Sequence, residues 1–168
     1  GRISDTERIA TLGRLQTSTD IQDAADRDVV IEAAPEIMSL KEDIFSTLGR
    51  ICKPGTLLAT NTSSLDVNTI ALASGRPEEV LGLHFFSPAH AMRLVEVVRG
   101  KASTDLMVKR ALGLVRSIDK LAATVGVCNG FVANRMMGKR TRQVDRLLLE
   151  GASPQEVDLA TTRFGFPM

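Results

Sequence analysis

Four short apolar runs constrain this chain more than any other feature: DVVIEAA (28–34), TLLATN (56–61), EVLGLHFF (79–86) and RLVEVV (93–98). A fifth, LAATVGV (121–127), comes later. Each has strand length. DVVIEAA is apolar throughout apart from Glu32, which fits a strand covered on both faces in a parallel sheet. Helical periodicity fills the gaps. SDTERIATLGRL (4–15) opens on a Ser4–Glu7 capping box and carries Ile9, Leu12 and Leu15 at helical spacing. TSTD (17–20) reads as a short strand or turn and IQDAAD (21–26) as a short helix. Pro35 is expected to start a helix over 36–52 with Ile37, Leu40, Ile44 and Leu48 on one face. TSSLDVNTIALAS (62–74) reads as a helix capped by Ser63 or Ser64, with Asp66 in the first turn where the macrodipole favours an acid. Residues 104–120 form a long amphipathic pattern. Strands alternating with helices predict βαβ units and an α/β fold.

At CNG (128–130) the pattern changes. From Phe131 onward the chain reads as helix alone, first over 131–151 and then over 153–165 behind a Ser153–Glu156 capping box. This divides the chain into an α/β unit, residues 1–127, and the opening of a helical unit, residues 128–168, in which Val144, Leu147 and Leu148 need further helices to cover them. A dinucleotide-binding α/β unit would open on a strand and a Gly-rich turn, yet GxGxxG occurs nowhere in the sequence. The expectation is therefore an α/β unit without its first βαβ, or a fold that binds no dinucleotide.

A formal net charge of +1 provides no general attraction to nucleic acid or to an anionic membrane. No apolar run approaches the ~20 residues of a membrane span, and GRISDTERIA is not a signal peptide. Cys52 and Cys128 lie far apart without a CxxC, as expected of buried thiols in a reduced intracellular protein. With no Trp and no Tyr, phenylalanine and aliphatic side chains must fill the core.

The acid inside RLVEVV asks for a partner, because burying a lone carboxylate costs several kcal/mol. For Glu96 the sequence offers Arg93 close by and His84 twelve positions earlier. Spacing alone leaves open a structural ion pair with Arg93, a histidine merely satisfied in the core, or a histidine–carboxylate pair. The last has chemical meaning: histidine ordinarily titrates near neutrality, and a carboxylate on one ring nitrogen fixes which nitrogen acts as base and stabilises the imidazolium. His90, six positions after His84, has no third ligand at metal spacing, so no metal site is expected. Arg135, Lys139, Arg142 and Arg146 form a basic stripe at helical spacing, read as a solvated face rather than a phosphate site.

NTSSL (61–65), GLHFFSPAHAMRLVEVV (82–98) and GFVANR (130–135) together give the chain its resemblance to the L-3-hydroxyacyl-CoA dehydrogenase family, and the likeness extends over essentially the whole length. That resemblance implies a role for each of several residues. His84 would be the general base and Glu96 its orienting acid. Ser63 would touch both cofactor and substrate, and Asn134 would stand in the active site. Glu36 and Lys41 would line the nicotinamide side of an NAD, with Asn61 and Ser87 also on the cofactor, although Glu36 and Lys41 are equally explicable as helix-surface residues. HFFSPAH, with Ser87 where the short enzymes carry asparagine, is typical of multifunctional β-oxidation proteins that bear an enoyl-CoA hydratase on the same chain. The implied substrate is an acyl-CoA, with no metal, no nucleic acid and no membrane partner. By the same resemblance the intact protein would be a homodimer inside the cell, cytoplasmic in a bacterium and peroxisomal or mitochondrial in a eukaryote. A Gly-rich loop and a CoA-binding helical arm would precede Gly1. The competing readings are another hydroxyacid dehydrogenase with a similar cofactor domain, and a family member retained without catalysis.

Overall fold

A computed structural model describes residues 3–166. Five strands, β1 (Val29–Glu32), β2 (Leu57–Thr60), β3 (Val80–Phe85), β4 (Leu94–Arg99) and β5 (Leu121–Gly126), form one sheet in sequential order. β1, β2 and β3 run parallel, β4 is antiparallel to β3, and β5 is parallel to β4. Parallel neighbours need a crossover, and helices α2 (Met38–Ile51), α3 (Val67–Ala73) and α4 (Asp105–Ser117) supply one between β1 and β2, β2 and β3, and β4 and β5. Between β3 and β4 a short turn suffices, because the chain only reverses. The expected α/β architecture is thus a mixed sheet, parallel apart from that one reversal.

The period of two along each strand sorts the core into two layers. Leu57 and Ala59 of β2 and Leu81 and Leu83 of β3 meet Met107, Ala111 and Val115 of α4 and its neighbours. Leu58 and Val80 face the other way, against Phe45 and Leu48 of α2 and Ile70 of α3. β2 is buried at every residue, which is why its run is continuous rather than alternating. DVVIEAA differs from expectation. It contributes only the edge strand, and Ile31 is 42% exposed. α2 and α3 pack backbone to backbone at Gly49, where a Cβ would fall 1.7 Å from the Ser74 carbonyl oxygen.

Several boundaries move, each for a local reason. α2 begins at Met38 rather than at Pro35, because residues 35–37 bend away and Glu36 bonds to the turn after β2. Its buried face is Lys41, Phe45 and Leu48, while Ile37 remains exposed. α3 is capped by Asp66, whose carboxylate accepts from the Asn68 amide at 2.8 Å, and not by Ser63 or Ser64. α4 stops at Ser117, short of Lys120. Helix α5 (Ala133–Leu149) starts two residues after Phe131, which itself has φ +48° and a fully buried ring. Both capping boxes form, Ser4–Glu7 on α1 (Asp5–Leu12) and Ser153–Glu156 on α6 (Pro154–Phe164). Residues 17–20 form no strand, and 21–24 make a single 3₁₀ turn. Both cysteines are free, Cys52 buried and Cys128 only half-buried. Among the described residues no helix is long and apolar enough to cross a membrane.

Candidate active site

His84 and Glu96 are direct register partners across the antiparallel β3–β4 pair, so their side chains rise from the same face of the sheet. The His84 Nδ1–Glu96 Oε2 distance is 2.8 Å, and both side chains are buried. Arg93 plays no part: the partners given to Glu96 among the described residues are His84 and two backbone amides. Those amides belong to Val132 and Ala133, at 3.1 and 3.0 Å from Glu96 Oε1, and they open α5. α5 has no side-chain cap of its own, so Glu96 serves as one from across the fold. One carboxylate therefore holds the imidazole with one oxygen and seats a helix with the other. The rings of Phe86 and Phe131 flank the imidazole, with centroids 4.4 and 5.7 Å away. With Nδ1 donating to the carboxylate, Nε2 carries the lone pair and is the nitrogen able to take a proton.

The residue after Ala133 brings in the next group. Asn134 Nδ2 donates to the Ser63 carbonyl oxygen at 3.3 Å. Ser63, Asn134, Glu96 and His84 are thus joined by hydrogen bonds through the first turn of α5. Ser63 sits in a turn organised by Glu36. Glu36 Oε1 accepts from Thr62 Oγ1 at 2.6 Å, from the Ser63 amide at 2.9 Å and from the Ser63 hydroxyl at 3.2 Å. The amide and hydroxyl of Ser64 add bonds of 3.2 and 3.3 Å.

Burial alone would raise the Glu36 carboxyl. The bonds from Thr62 and Ser63 and the charge of Lys41 outweigh it and hold the group below its ordinary value. A lowered folded pKa contributes stability that is fully present above the unfolded value and is lost as pH falls through the folded one. The thermal midpoint of the protein should accordingly drop on the acid side of the ordinary carboxylate range. Glu36→Gln should flatten that acid limb in a melt-versus-pH series, and a limb of unchanged slope would count against the turn's dependence on this carboxylate.

Lys41 is not a helix-surface residue. It is 1% exposed, its Nζ lies 2.6 Å from Glu32 Oε1 and 3.6 Å from Glu36 Oε2, and it donates to the Ala34 carbonyl at 3.1 Å. Glu32 also accepts from the Ala34 amide at 2.5 Å and from Thr60 Oγ1 at 2.7 Å. Sequence reasoning did not assign Glu32 a role, although its signal matched that of Glu96: a charge inside an apolar strand. Asn61 Oδ1 accepts from the Phe85 amide at 2.8 Å and so ties the loop after β2 to the end of β3. Ser87 is exposed in the β3–β4 turn, outside this bonded set. His90 is exposed, and no group of three metal-ligating side chains occurs among the described residues.

Glu36 and Ser63 stand beyond the C-terminal ends of β1 and β2, where open α/β sheets bind ligands. The partly exposed Ser63 and Ser64 hydroxyls and the Glu36 carboxylate suit the amide and ribose hydroxyls of a nicotinamide nucleoside. No GxGxxG turn for its diphosphate occurs in the sequence. Sheet and switch-end loops are those of a nucleotide-binding α/β unit. Residues 1–128 match the model of the 3-hydroxyacyl-CoA dehydrogenase NAD binding domain, and residues 130–168 match that of the 3-hydroxyacyl-CoA dehydrogenase C-terminal domain. The chain belongs to the 3-hydroxyacyl-CoA dehydrogenase family.

Among its relatives, the peroxisomal bifunctional enzyme of Danio rerio is 48% identical over 159 residues, covering 95% of this chain and 22% of that protein. A probable 3-hydroxybutyryl-CoA dehydrogenase of Deinococcus radiodurans is 40% identical over 162 residues, covering 94% of this chain and 57% of that protein. The crystal structure of M. tuberculosis FadB2 superposes with a TM-score of 0.94 at 32% identity, covering 99% of this chain and 60% of that one. The chain thus spans about a fifth of the bifunctional enzyme and somewhat over half of the shorter relatives.

Proposed function

We propose that the protein carrying this chain interconverts L-3-hydroxyacyl-CoA and 3-ketoacyl-CoA with NAD as a step of fatty-acid β-oxidation. The observation that carries this reading is the buried 2.8 Å His84–Glu96 pair, whose carboxylate also seats the helix bearing Asn134. In oxidation His84 Nε2 takes the proton of the C3 hydroxyl as the C–H bond gives up its hydride. Bound NAD supplies the acceptor for that hydride. Glu96 keeps Nδ1 protonated and stabilises the imidazolium that forms. Asn134 spends one N–H on Ser63, and its second N–H can donate to the substrate oxygen as charge shifts there, joined by the Ser63 hydroxyl when that group turns its one proton from Glu36 to the substrate. In reverse, the imidazolium returns the proton to the ketone oxygen.

The likeness to a bifunctional enzyme and the HFFSPAH stretch support placing this unit in a longer, multifunctional chain. The peroxisomal and bacterial relatives support an intracellular site.

The test is NADH consumption with acetoacetyl-CoA by the protein expressed at the full length of its gene. Turnover is expected with this thioester and none with free ketoacids. NADH binding without turnover of any thioester would identify a non-catalytic family member.

A further inference from the structure

Lys120, between α4 and β5, has no carboxylate partner among the described residues. Its ammonium is directed at backbone instead. Nζ donates to the Ala89 carbonyl at 2.6 Å and to the Met92 carbonyl at 2.7 Å. Both carbonyls belong to the turn between β3 and β4, a single helical turn closed by the Ala91 and Met92 amides on the Pro88 carbonyl, each at 3.0 Å. The later carbonyls of such a turn carry partial negative charge, which a cation caps.

Lys120 reaches the turn because of the way the chain leaves α4. Asp119 lies at φ +56°, in the left-handed region that aspartate tolerates better than most residues. The Lys120 amide then closes on the Val115 carbonyl at 3.1 Å. Leu121 enters the sheet as the register partner of Leu94, and its amide donates to the Arg93 carbonyl at 2.8 Å. The root of the lysine side chain is thereby fixed where the turn runs into β4. The turn has little else to hold it. Ser87 through Met92 are exposed, and none of their side chains makes a hydrogen bond among the described residues.

This turn stands at the ligand end of the sheet. Phe86, just before it, places its ring 4.4 Å from the His84 imidazole, and Ser87 opens it. Asn61 ties the end of β3 to the loop that leads to Ser63, through the Phe85 amide at 2.8 Å. Asn61 therefore holds the entry to the turn and Lys120 its exit. We infer that Lys120 is a positioning residue, whose ammonium clamps the β3–β4 turn as one wall of the nicotinamide end of the cofactor site. The inference rests on the dehydrogenase reading for the identity of the cofactor, whereas the clamp itself does not. Lys120 touches no reacting atom, and His84 is held by Glu96 within the strand pair. Releasing the turn should accordingly weaken cofactor binding and spare the chemical step.

The experiment compares wild type, Lys120→Met and Lys120→Arg in the protein expressed at the full length of its gene. Methionine keeps a long stem without donors, and arginine restores a cation with several. Lys120 is half-buried beside an exposed turn, so neither change disturbs the core. NADH is titrated calorimetrically, amide exchange is followed over residues 87–93, and kcat is measured with acetoacetyl-CoA at saturating NADH. Lys120→Met should bind NADH about tenfold more weakly. Its Ala91 and Met92 amides should exchange faster, its kcat should stay within about twofold of wild type, and Lys120→Arg should recover most of the affinity. A merely structural lysine would lower the melting temperature and leave the NADH affinity of the folded protein alone. That result would overturn the inference, as would a loss carried by kcat with NADH affinity intact, or an equal loss in Lys120→Arg. A wild type that binds NADH yet turns over no thioester would remove the dehydrogenase reading, and the NADH titration would still decide the clamp.

Discussion

Replacing His84 with glutamine should lower kcat by about 10³- to 10⁴-fold and leave KM for acetoacetyl-CoA nearly unchanged. Glutamine roughly keeps the volume between Phe86 and Phe131 and can still donate to Glu96, so β3 and β4 should stay in register. What it cannot do is hold a transferable proton near neutral pH. The loss should fall on the chemical step, because an interaction made only as the proton moves affects kcat and kcat/KM alike. Steady-state NADH oxidation by variant and wild type at equal concentration reads this directly. A variant retaining more than about a tenth of wild-type kcat would mean that another group is the base.

The second large effect is on stability. Glu32→Leu should destabilise the protein by about 3–5 kcal/mol, measured by urea unfolding, because it takes from the buried Lys41 its 2.6 Å partner and leaves only the longer 3.6 Å contact with the partly exposed Glu36. Glu32 and Lys41 have side chains 3% and 1% exposed, so water cannot take over the lost contact without opening β1 and α2. The change also removes the acceptor used by the Ala34 amide and by Thr60 Oγ1. The double variant Glu32→Leu/Lys41→Met should recover most of the loss, since a buried ion pair is often no better than an apolar pair of similar volume. A single variant within about 0.5 kcal/mol of wild type would show that this pair is hydrated in solution.

The sequence told most where burial and period left one solution. Continuous runs at β2 and β3 could only be covered strands, and the Ser4 and Ser153 capping boxes formed as written. The residues that pair with charges were harder. Glu96 announced its need for a partner, but only the antiparallel register placed His84 opposite it, and nothing local showed that its second oxygen would cap α5. Glu32 and Lys41 are nine positions apart on different elements, so helix periodicity leaves a surface position as one of two readings of Lys41, beside the cofactor contact that the family resemblance implies. The residues of the Ser63 turn suit a helix cap as well as the ligand contact that the family resemblance implies. In the structure Glu36, arriving from another loop, accepts the bonds of Thr62–Ser64, and the capping moves on to Asp66. In each case the missing information was long-range: which strand or loop returns beside which.

Turnover by Glu96→Gln in a protein that still binds NADH tests the histidine–carboxylate pairing most directly. The carboxylate accepts on both oxygens, from His84 and from the amides of Val132 and Ala133, whereas a carboxamide of the same shape accepts on one side only. It must turn its amino group either toward the imidazole or toward two N–H donors. The expected result is NADH affinity close to wild type and kcat lower by about 10²- to 10⁴-fold. Wild-type kcat in the folded variant would contradict the pairing, leaving Glu96 as a helix cap and His84 acting without it.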